Sequence, residues 1–192
     1  MKSLLKVSKS LNINKKKTLS KSTLIIYNSK YGSTKEYASW IATNAKADLV
    51  SLDRVDWDNL GKYSKVVFGT YLHIGALVGI KEILAKWSYL EKKKFVLFSV
   101  SAAKPGNFVI TDAYTKGVPQ SIRNKIKFFQ LRGRMVKLDL IDSIAVAVPK
   151  TLLKIQYFFS KDENCLKRIE GFSPFDGMDK HSIVPIVSEL KK

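Results

Sequence analysis

The sequence predicts an α/β domain in which helices cover both faces of a parallel sheet. Three short apolar runs, residues 24–27, 66–68 and 95–100, are continuous and do not alternate with polar residues. Such runs are typical of parallel strands that are buried on both faces. Segments with helical spacing lie between them on short connections, which favours right-handed crossovers within one sheet.

The composition fits one globular domain with a short appendage. The chain has 192 residues, of which 45% are hydrophobic and 11% aromatic, and this is enough for a substantial core. Cys165 is the only cysteine, so an internal disulfide and a cysteine-based zinc site are excluded. With two histidines, a histidine-rich metal site is not expected either, and a reducing, cytoplasmic location fits.

The net charge of +18 admits two explanations. A lysine-rich solvated surface is one, and attraction to acidic lipid, nucleic acid or an acidic partner is the other. Residues 1–22 hold seven lysines and no acid, and they lack the pattern of a secretory signal. We expect residues 1–22 to be a flexible basic arm, with a membrane-surface anchor as the weaker alternative, and residues 23–192 to form the domain.

The first strand, residues 24–27, leads through a polar loop into a helix whose apolar side includes Tyr37 and Ile41. The N-terminus of such a helix presents unpaired backbone N–H groups and a partial positive charge to an anion. The loop adds hydroxyl groups and a glycine that permits close approach, at Ser29, Gly32, Ser33 and Thr34. These features predict a monophosphate cradle. The alternative is a plain capped turn, because Ser33 and Glu36 match a capping box.

The middle of the chain continues the alternation of strands and helices. Residues 49–52 predict a second strand, residues 65–69 a third and residues 95–100 a fourth. Between the third and the fourth, apolar residues recur at helical spacing over residues 80–90.

The fifth strand differs from the others because its residues alternate. Leu131, Gly133 and Met135 share one face, and from Val136 to Leu140 the alternation continues with its phase shifted by one residue. We therefore predict an edge strand with a bulge or break near Met135 and Val136.

The remainder of the chain is predicted to be largely helical. Residues 142–159 form a helix at least from Pro149 onward, too short and too charged to span a bilayer. We expect its apolar stripe to cover the sheet, and the alternative is that the helix lies on a membrane surface. After a polar loop over residues 161–179, a last helix is expected with Ser182 as its cap.

Three loops follow strands that end at the same edge of the sheet: residues 28–34, 69–75 and 99–107. Ligands of open α/β sheets bind at this edge. A phosphate cradle with two flanking loops of small and aromatic residues predicts a mononucleotide site.

On these loops the sequence resembles the flavodoxin-like family, and more closely the branch that contains the menaquinone-dependent protoporphyrinogen oxidase. The pattern Ser29-x-x-Gly32-x-Thr34 is similar to the family's phosphate loop, with Tyr31 where a threonine is usual. The spacing from Gly69 to Gly75 resembles the branch's second loop. The resemblance implies a three-layer α/β sandwich whose five-stranded parallel sheet has the order 2-1-3-4-5, with an extra C-terminal helical segment.

The same resemblance implies FMN as the cofactor. Its phosphate would lie in the first loop and its ring between the second and third loops. The implied cofactor-binding residues of the first loop are Ser29, Lys30, Tyr31, Gly32, Ser33 and Thr34, and those that flank the ring are Thr70, Tyr71, Leu72, His73, Ser101, Ala102 and Ala103. No catalytic side chain and no metal are expected, and His73 is interpreted as a polar loop residue because a lone histidine lacks a partner for acid–base work.

The resulting hypothesis is an FMN-dependent oxidoreductase that passes hydrogen from an organic donor to a quinone, as in heme biosynthesis, at the inner face of the membrane. A flavodoxin electron carrier is one alternative, although carriers of that kind usually present an acidic face. A basic binding module without flavin is the other. Nucleic acid is not expected as a partner, because aromatic residues are not interleaved with the basic ones.

Overall fold

A parallel sheet forms the centre of the computed structural model, which describes residues 22–136, 140–161 and 173–192. In chain order the strands of this sheet are β1 (Thr23–Tyr27), β2 (Asp48–Ser51), β3 (Lys65–His73), β4 (Ala76–Leu77), β5 (Lys94–Ser101) and β6 (Lys127–Arg132). The spatial order is β2-β1-β3-β5-β6, and the short β4 pairs antiparallel with the end of β3. The predicted order is therefore confirmed once β4 is set aside.

Helices cover both faces of this sheet. The helices of the described residues are α1 (Ser33–Ala45), α2 (Ile80–Ala85), α3 (Phe108–Gly117), α4 (Gln120–Arg123), α5 (Leu140–Ser160) and α6 (Val184–Lys191). The sheet has a hydrophobic core on each face, and successive side chains of β1 pack into opposite cores because side chains alternate along a strand. Ile25 packs with residues of α1 and α6, whereas Ile26 packs with residues of α2 and α3. The three-layer sandwich is therefore confirmed.

The second predicted loop, residues 69–75, is mostly a strand. β3 continues to His73, and a turn at Ile74 and Gly75 leads into β4. Both turn residues have positive φ, 46° and 73°, as in the tight turns that match the twist of a hairpin. The prediction of a loop was therefore wrong for residues 69–73, which continue β3, because Leu72 and His73 pair with the backbone of β4.

The predicted break in the fifth strand lies at Gly133, two residues earlier than Met135. A Cβ atom at Gly133 would lie 2.8 Å from Cγ1 of Val100, so the chain passes close to β5 there. Beyond the break, β7 (Arg134–Met135) pairs antiparallel with β8 (Phe175–Asp176). Residues 137–139 lie outside the described part, and Leu140 begins α5 instead of continuing the strand.

α5 contradicts the expectation that its apolar stripe covers the sheet. The helix runs without interruption through Pro149 and leaves most of its large apolar side chains exposed to solvent. Over residues 22–136, 140–161 and 173–192, no helix combines the length and apolarity needed to cross a membrane.

The C-terminal helix has a different start from the predicted one. Asp179, not Ser182, caps the short 3-10 turn before α6, since its side chain accepts a hydrogen bond from the His181 backbone N–H. Residues 1–21 of the predicted basic arm and residues 162–172 of the predicted loop, with Cys165, lie outside the described part of the chain.

Candidate functional site

A cleft of about 270 Å³ opens at the carboxyl ends of β1, β3 and β5. Its lining combines the loop after β1, the end of the β3–β4 hairpin, the end of β5, the start of β7 and the first turns of α5. The lining residues are Ser29, Lys30, Tyr31, Ser33, Thr34, Tyr71, Leu72, His73, Ile74, Val100, Ser101, Ala102, Gly133, Arg134, Met135, Asp142 and Val146.

The loop between β1 and α1 has the geometry of an anion-binding turn. Gly32 precedes the helix with φ +92°, which only glycine adopts without strain, and its N–H donates to Ser29 Oγ at 3.1 Å. The first hydrogen bond of α1 runs from the Glu36 N–H to the Gly32 carbonyl, 2.9 Å. The helix itself therefore supplies no acceptor for the N–H groups of Ser33, Thr34 and Lys35.

The capping box considered as an alternative is not formed. Gly32 occupies the N-cap position, and no side chain caps the helix. The Glu36 carboxylate instead accepts a hydrogen bond from the Arg134 guanidinium. The Ser33 hydroxyl is thus not used to start the helix, and it lines the cleft.

Among the residues that line the cleft, the one carboxylate belongs to Asp142, in the first turn of α5. Its carboxylate accepts hydrogen bonds from Tyr31 Oη at 2.5 Å and Lys30 Nζ at 2.9 Å, and His73 Nε2 lies 2.7 Å away. Because an ionised carboxylate only accepts, Nε2 of His73 is the donor of that contact. The hydrogen bond from His73, followed by the one from Tyr31, holds the pKa of Asp142 well below its usual range despite its burial.

The other walls of the cleft are mainly apolar. Tyr71 and Leu72 come from β3, Val100 and Ala102 from the end of β5, and Met135 from β7. The Tyr71 ring also meets His73 edge-on, with centroids 6.3 Å apart. Such walls suit a flat, apolar ring, while the polar groups gather at the α1 end and around Asp142.

The structure brings most of the predicted site residues to this one cleft. Those on its surface are Ser29, Lys30, Tyr31, Ser33, Thr34, Tyr71, Leu72, His73, Ser101 and Ala102. Three predicted residues do not line it. Thr70 is fully buried, and its hydroxyl donates a hydrogen bond to the Val78 carbonyl. Gly32 forms the turn before α1 without lining the cleft. The third is Ala103, whose carbonyl accepts a hydrogen bond from Ser101 Oγ at 3.1 Å.

Sequence reasoning did not find Asp142, and it described His73 as a lone histidine. The interpretation of His73 was wrong in that respect, because Asp142 supplies the partner from 69 residues away. The one available signal was a carboxylate in the first turn of an otherwise apolar helix. The other lining residues that were not predicted as site residues are Ile74, Val100, Gly133, Arg134, Met135 and Val146.

The residues present fit a flavin mononucleotide. The hydroxyls of Ser29, Ser33 and Thr34 and the first N–H groups of α1 are donors suited to a phosphate. At about 270 Å³ the cleft lies just below the usual range of about 300–1,000 Å³ for small-molecule sites, so a mononucleotide would stay partly exposed. Within the described residues, no group of histidine, cysteine or acidic side chains could hold a metal ion.

Comparison with known proteins agrees with this geometry. A family model described as a flavodoxin domain matches residues 24–154. No curated protein sequence matches the chain significantly.

Several solved structures are similar to this chain. A flavodoxin from the domain Archaea has 11% identity and a TM-score of 0.44, over 88% of this chain and 99% of that one. A two-electron reduced flavodoxin from Megasphaera elsdenii has 17% identity and a TM-score of 0.45, over 57% and 84%. A flavoprotein from Lactobacillus acidophilus, in complex with FMN, has 18% identity and a TM-score of 0.42, over 58% and 93%.

Proposed function

Because the chain belongs to the flavodoxin-domain family, we propose that it binds FMN in the cleft and works as a flavin-dependent oxidoreductase. The observation that carries the proposal is the convergence of a hydroxyl-rich helix N-terminus and apolar strand ends on one cleft. Ser29, Ser33 and Thr34 hold the phosphate. Tyr71, Leu72 and Ala102 flank the ring.

When bound, FMN supplies the transfer of electrons and hydrogen between a donor and an acceptor. The chain's own residues bind and orient it. Asp142 fixes the ring of His73 through Nε2, so Nδ1 is the other hydrogen-bonding atom of this ring. Lys30 balances the charge of Asp142, and the Tyr31 hydroxyl donates a hydrogen bond to the same carboxylate.

The finer proposal is an oxidoreductase of the protoporphyrinogen-oxidase type. Two hydrogens leave a reduced organic donor such as a tetrapyrrole, and a quinone takes them up to become a quinol. The apolar walls of the cleft suit an apolar donor or acceptor, and the charge of +18 opposes the acidic docking face usual for a one-electron carrier.

The binding part of the proposal is tested by Ser33→Asp, with Ser39→Asp as the matched control on the same helix. Ser33 lines the cleft, whereas the Ser39 hydroxyl bonds to the Lys35 carbonyl outside it. A carboxylate at position 33 should repel the phosphate and weaken FMN binding about tenfold or more, since one charge contact is worth about 1–4 kcal/mol near a protein surface. Equal affinity of the two variants in a fluorescence titration would show that the phosphate lies elsewhere.

The catalytic part is tested by anaerobic turnover with FMN-loaded protein, protoporphyrinogen and menaquinone. The proposal predicts three molecules of quinol for each molecule of porphyrin, because protoporphyrinogen loses six hydrogens on becoming protoporphyrin and each quinone takes up two. Reduction of the flavin by other donors without any quinone reduction would support the carrier instead. A colourless protein that cannot be reconstituted with FMN would favour the binding module.

A further inference from the structure

The outer face of α5 carries a continuous row of exposed apolar side chains. Its members recur every three or four residues, so they lie along one side of the helix. Their exposure ranges from 50% for Ile155 to 79% for Phe159, and the row comprises Leu140, Ile144, Val148, Leu152, Ile155, Phe158 and Phe159. We call this row the apolar face of α5.

The opposite side of α5 already has its protein contacts. Asp142 and Leu153 are buried there, and Val146 and Pro149 are half-buried. The helix is thus held against the domain by one side, and the apolar face points away from it. With 21 residues the helix is about 31 Å long, so the apolar face is far larger than a single exposed side chain.

Lysines border the apolar face. Lys150 and Lys154 lie on the same flank of the helix, and Lys161 follows its end. Lys161 Nζ lies 5.2 Å from the centroid of the Phe158 ring, so the cation sits beside the apolar row. Apolar side chains with cations along their border are typical of helices that lie in the headgroup region of a bilayer.

Charge distinguishes the occupants that could cover this face. A second copy would bring the lysines of two α5 helices and two net charges of +18 together, which opposes association. An anionic lipid surface offers the opposite charge and an apolar layer beneath it.

We propose that the apolar face of α5 docks on an anionic lipid bilayer, with its side chains below the headgroups and its lysines among them. Docking itself does not depend on the flavin. Asp142 and Val146, which line the cleft, lie within one turn of Ile144 on the apolar face. Both residues lie on the side of α5 opposite the apolar face, so a docked helix holds the cleft one helix diameter, roughly 10 Å, from the lipid. Given the proposed function, this brings the cleft near a lipid-soluble acceptor.

The test is co-sedimentation of the full chain with phosphatidylcholine vesicles that contain 0 or roughly 30% phosphatidylglycerol. We expect binding to the anionic vesicles only. Leu152→Asp should weaken vesicle binding about tenfold or more. The change removes an apolar side chain that docking would bury in the bilayer, and it places a charge there instead. Val184→Asp, the matched control on α6, makes the same charge change at a similarly exposed residue (56% against 61%) and should alter binding less than about twofold.

Two further comparisons separate specific docking from general attraction. Lys154→Glu should weaken binding more than Lys81→Glu, which has the same charge change on α2. Phe158→Trp should give tryptophan emission that brominated lipids quench more strongly than the emission of the wild-type protein. Ser33→Asp should leave vesicle binding unchanged, so loss of FMN binding and loss of docking are distinguishable.

Absence of binding to anionic vesicles would overturn the proposal. So would unchanged binding of Leu152→Asp, which would assign the attraction to other basic segments. Concentration-dependent dimers that Leu152→Asp abolishes in sedimentation velocity would show that a second copy covers the apolar face.

Discussion

His73 and Asp142 are 69 residues apart in the sequence, and their side chains meet at 2.7 Å across the cleft. The same carboxylate receives Tyr31 and Lys30 from the loop after β1. One acid therefore joins the loop between β1 and α1, the β3–β4 hairpin and the start of α5. Asp142 thus connects the first turn of α5 to two other elements of the cleft.

Asp142→Asn should strengthen FMN binding about fivefold. The substitution removes a negative charge beside the proposed phosphate site and frees Lys30 for the phosphate, and one such charge is worth about 1 kcal/mol in a water-like medium. The measurement is a titration of the purified variant with FMN. Asp112→Asn, an exposed acid paired with Lys116 on α3, is the control and should leave the affinity unchanged.

Weaker binding by Asp142→Asn would contradict this expectation. It would mean that the carboxylate holds the cleft in shape more than it repels the ligand.

The hydrogen bonds of Asp142 should also make the stability of the protein depend on pH in the acid range. Hydrogen bonds lower the pKa of Asp142 from the ordinary value of 3.8, so its contribution to stability is fully present above that value and is lost only as the pH falls well below it. The melting temperature of the wild-type protein should therefore be higher than that of Asp142→Asn at pH 5 to 7. The two melting temperatures should converge in strong acid. A difference that grows on acidification would contradict the assignment.

Glu189 provides a second, independent pH dependence. Its hydrogen bond with Lys94, followed by that with Lys192, lowers its pKa from 4.5 to about 2. A lowered pKa makes the wild-type protein more stable than Glu189→Gln above pH 4.5, and the advantage should disappear as the pH falls to about 2. Lys94→Met should shift that loss to higher pH, which melting curves across this range will show. An advantage of the wild-type protein that does not change with pH would exclude this ion pair as its source.

Gly69 should tolerate no side chain. An added Cβ atom would lie 2.2 Å from Cζ of Phe98, whose ring is fully buried, so the core would have to shift. Gly69→Ala should lower the free energy of unfolding by about 1–3 kcal/mol, as overpacked cores do. Urea unfolding measures it, with Gly61→Ala as the control, since nothing lies within 4 Å of a Cβ atom there. Equal stability of the two variants would show that β3 and β5 can separate at this point.

The elements that follow from local pattern were predictable. The apolar runs of β1, β3 and β5 are long enough to identify buried parallel strands, and parallel strands bring their carboxyl ends to one edge. The cleft residues of the three predicted loops follow from that geometry. α3 was not predicted, because its buried residues Ile110 and Ala113 are mixed with the exposed Phe108 and Val109.

The parts of the site that depend on tertiary placement were not predictable. Asp142 reaches His73 only because the first turns of α5 lie at the cleft, and no spacing in the sequence encodes that placement. The orientation of α5 also depends on tertiary placement. An apolar stripe in the sequence does not show whether that side of the helix faces a core or the outside of the protein. The hairpin at Ile74 was missed because a β-branched residue rarely adopts positive φ.

The most direct test of the account compares FMN with riboflavin, which has the same ring but no phosphate, in equilibrium titrations of the purified protein. If the N-terminus of α1 holds the phosphate, FMN should bind roughly 100-fold more tightly, since each charge-assisted hydrogen bond contributes about 1.5–3 kcal/mol. Equal affinities, or no binding of either flavin, would contradict the assignment of the cleft.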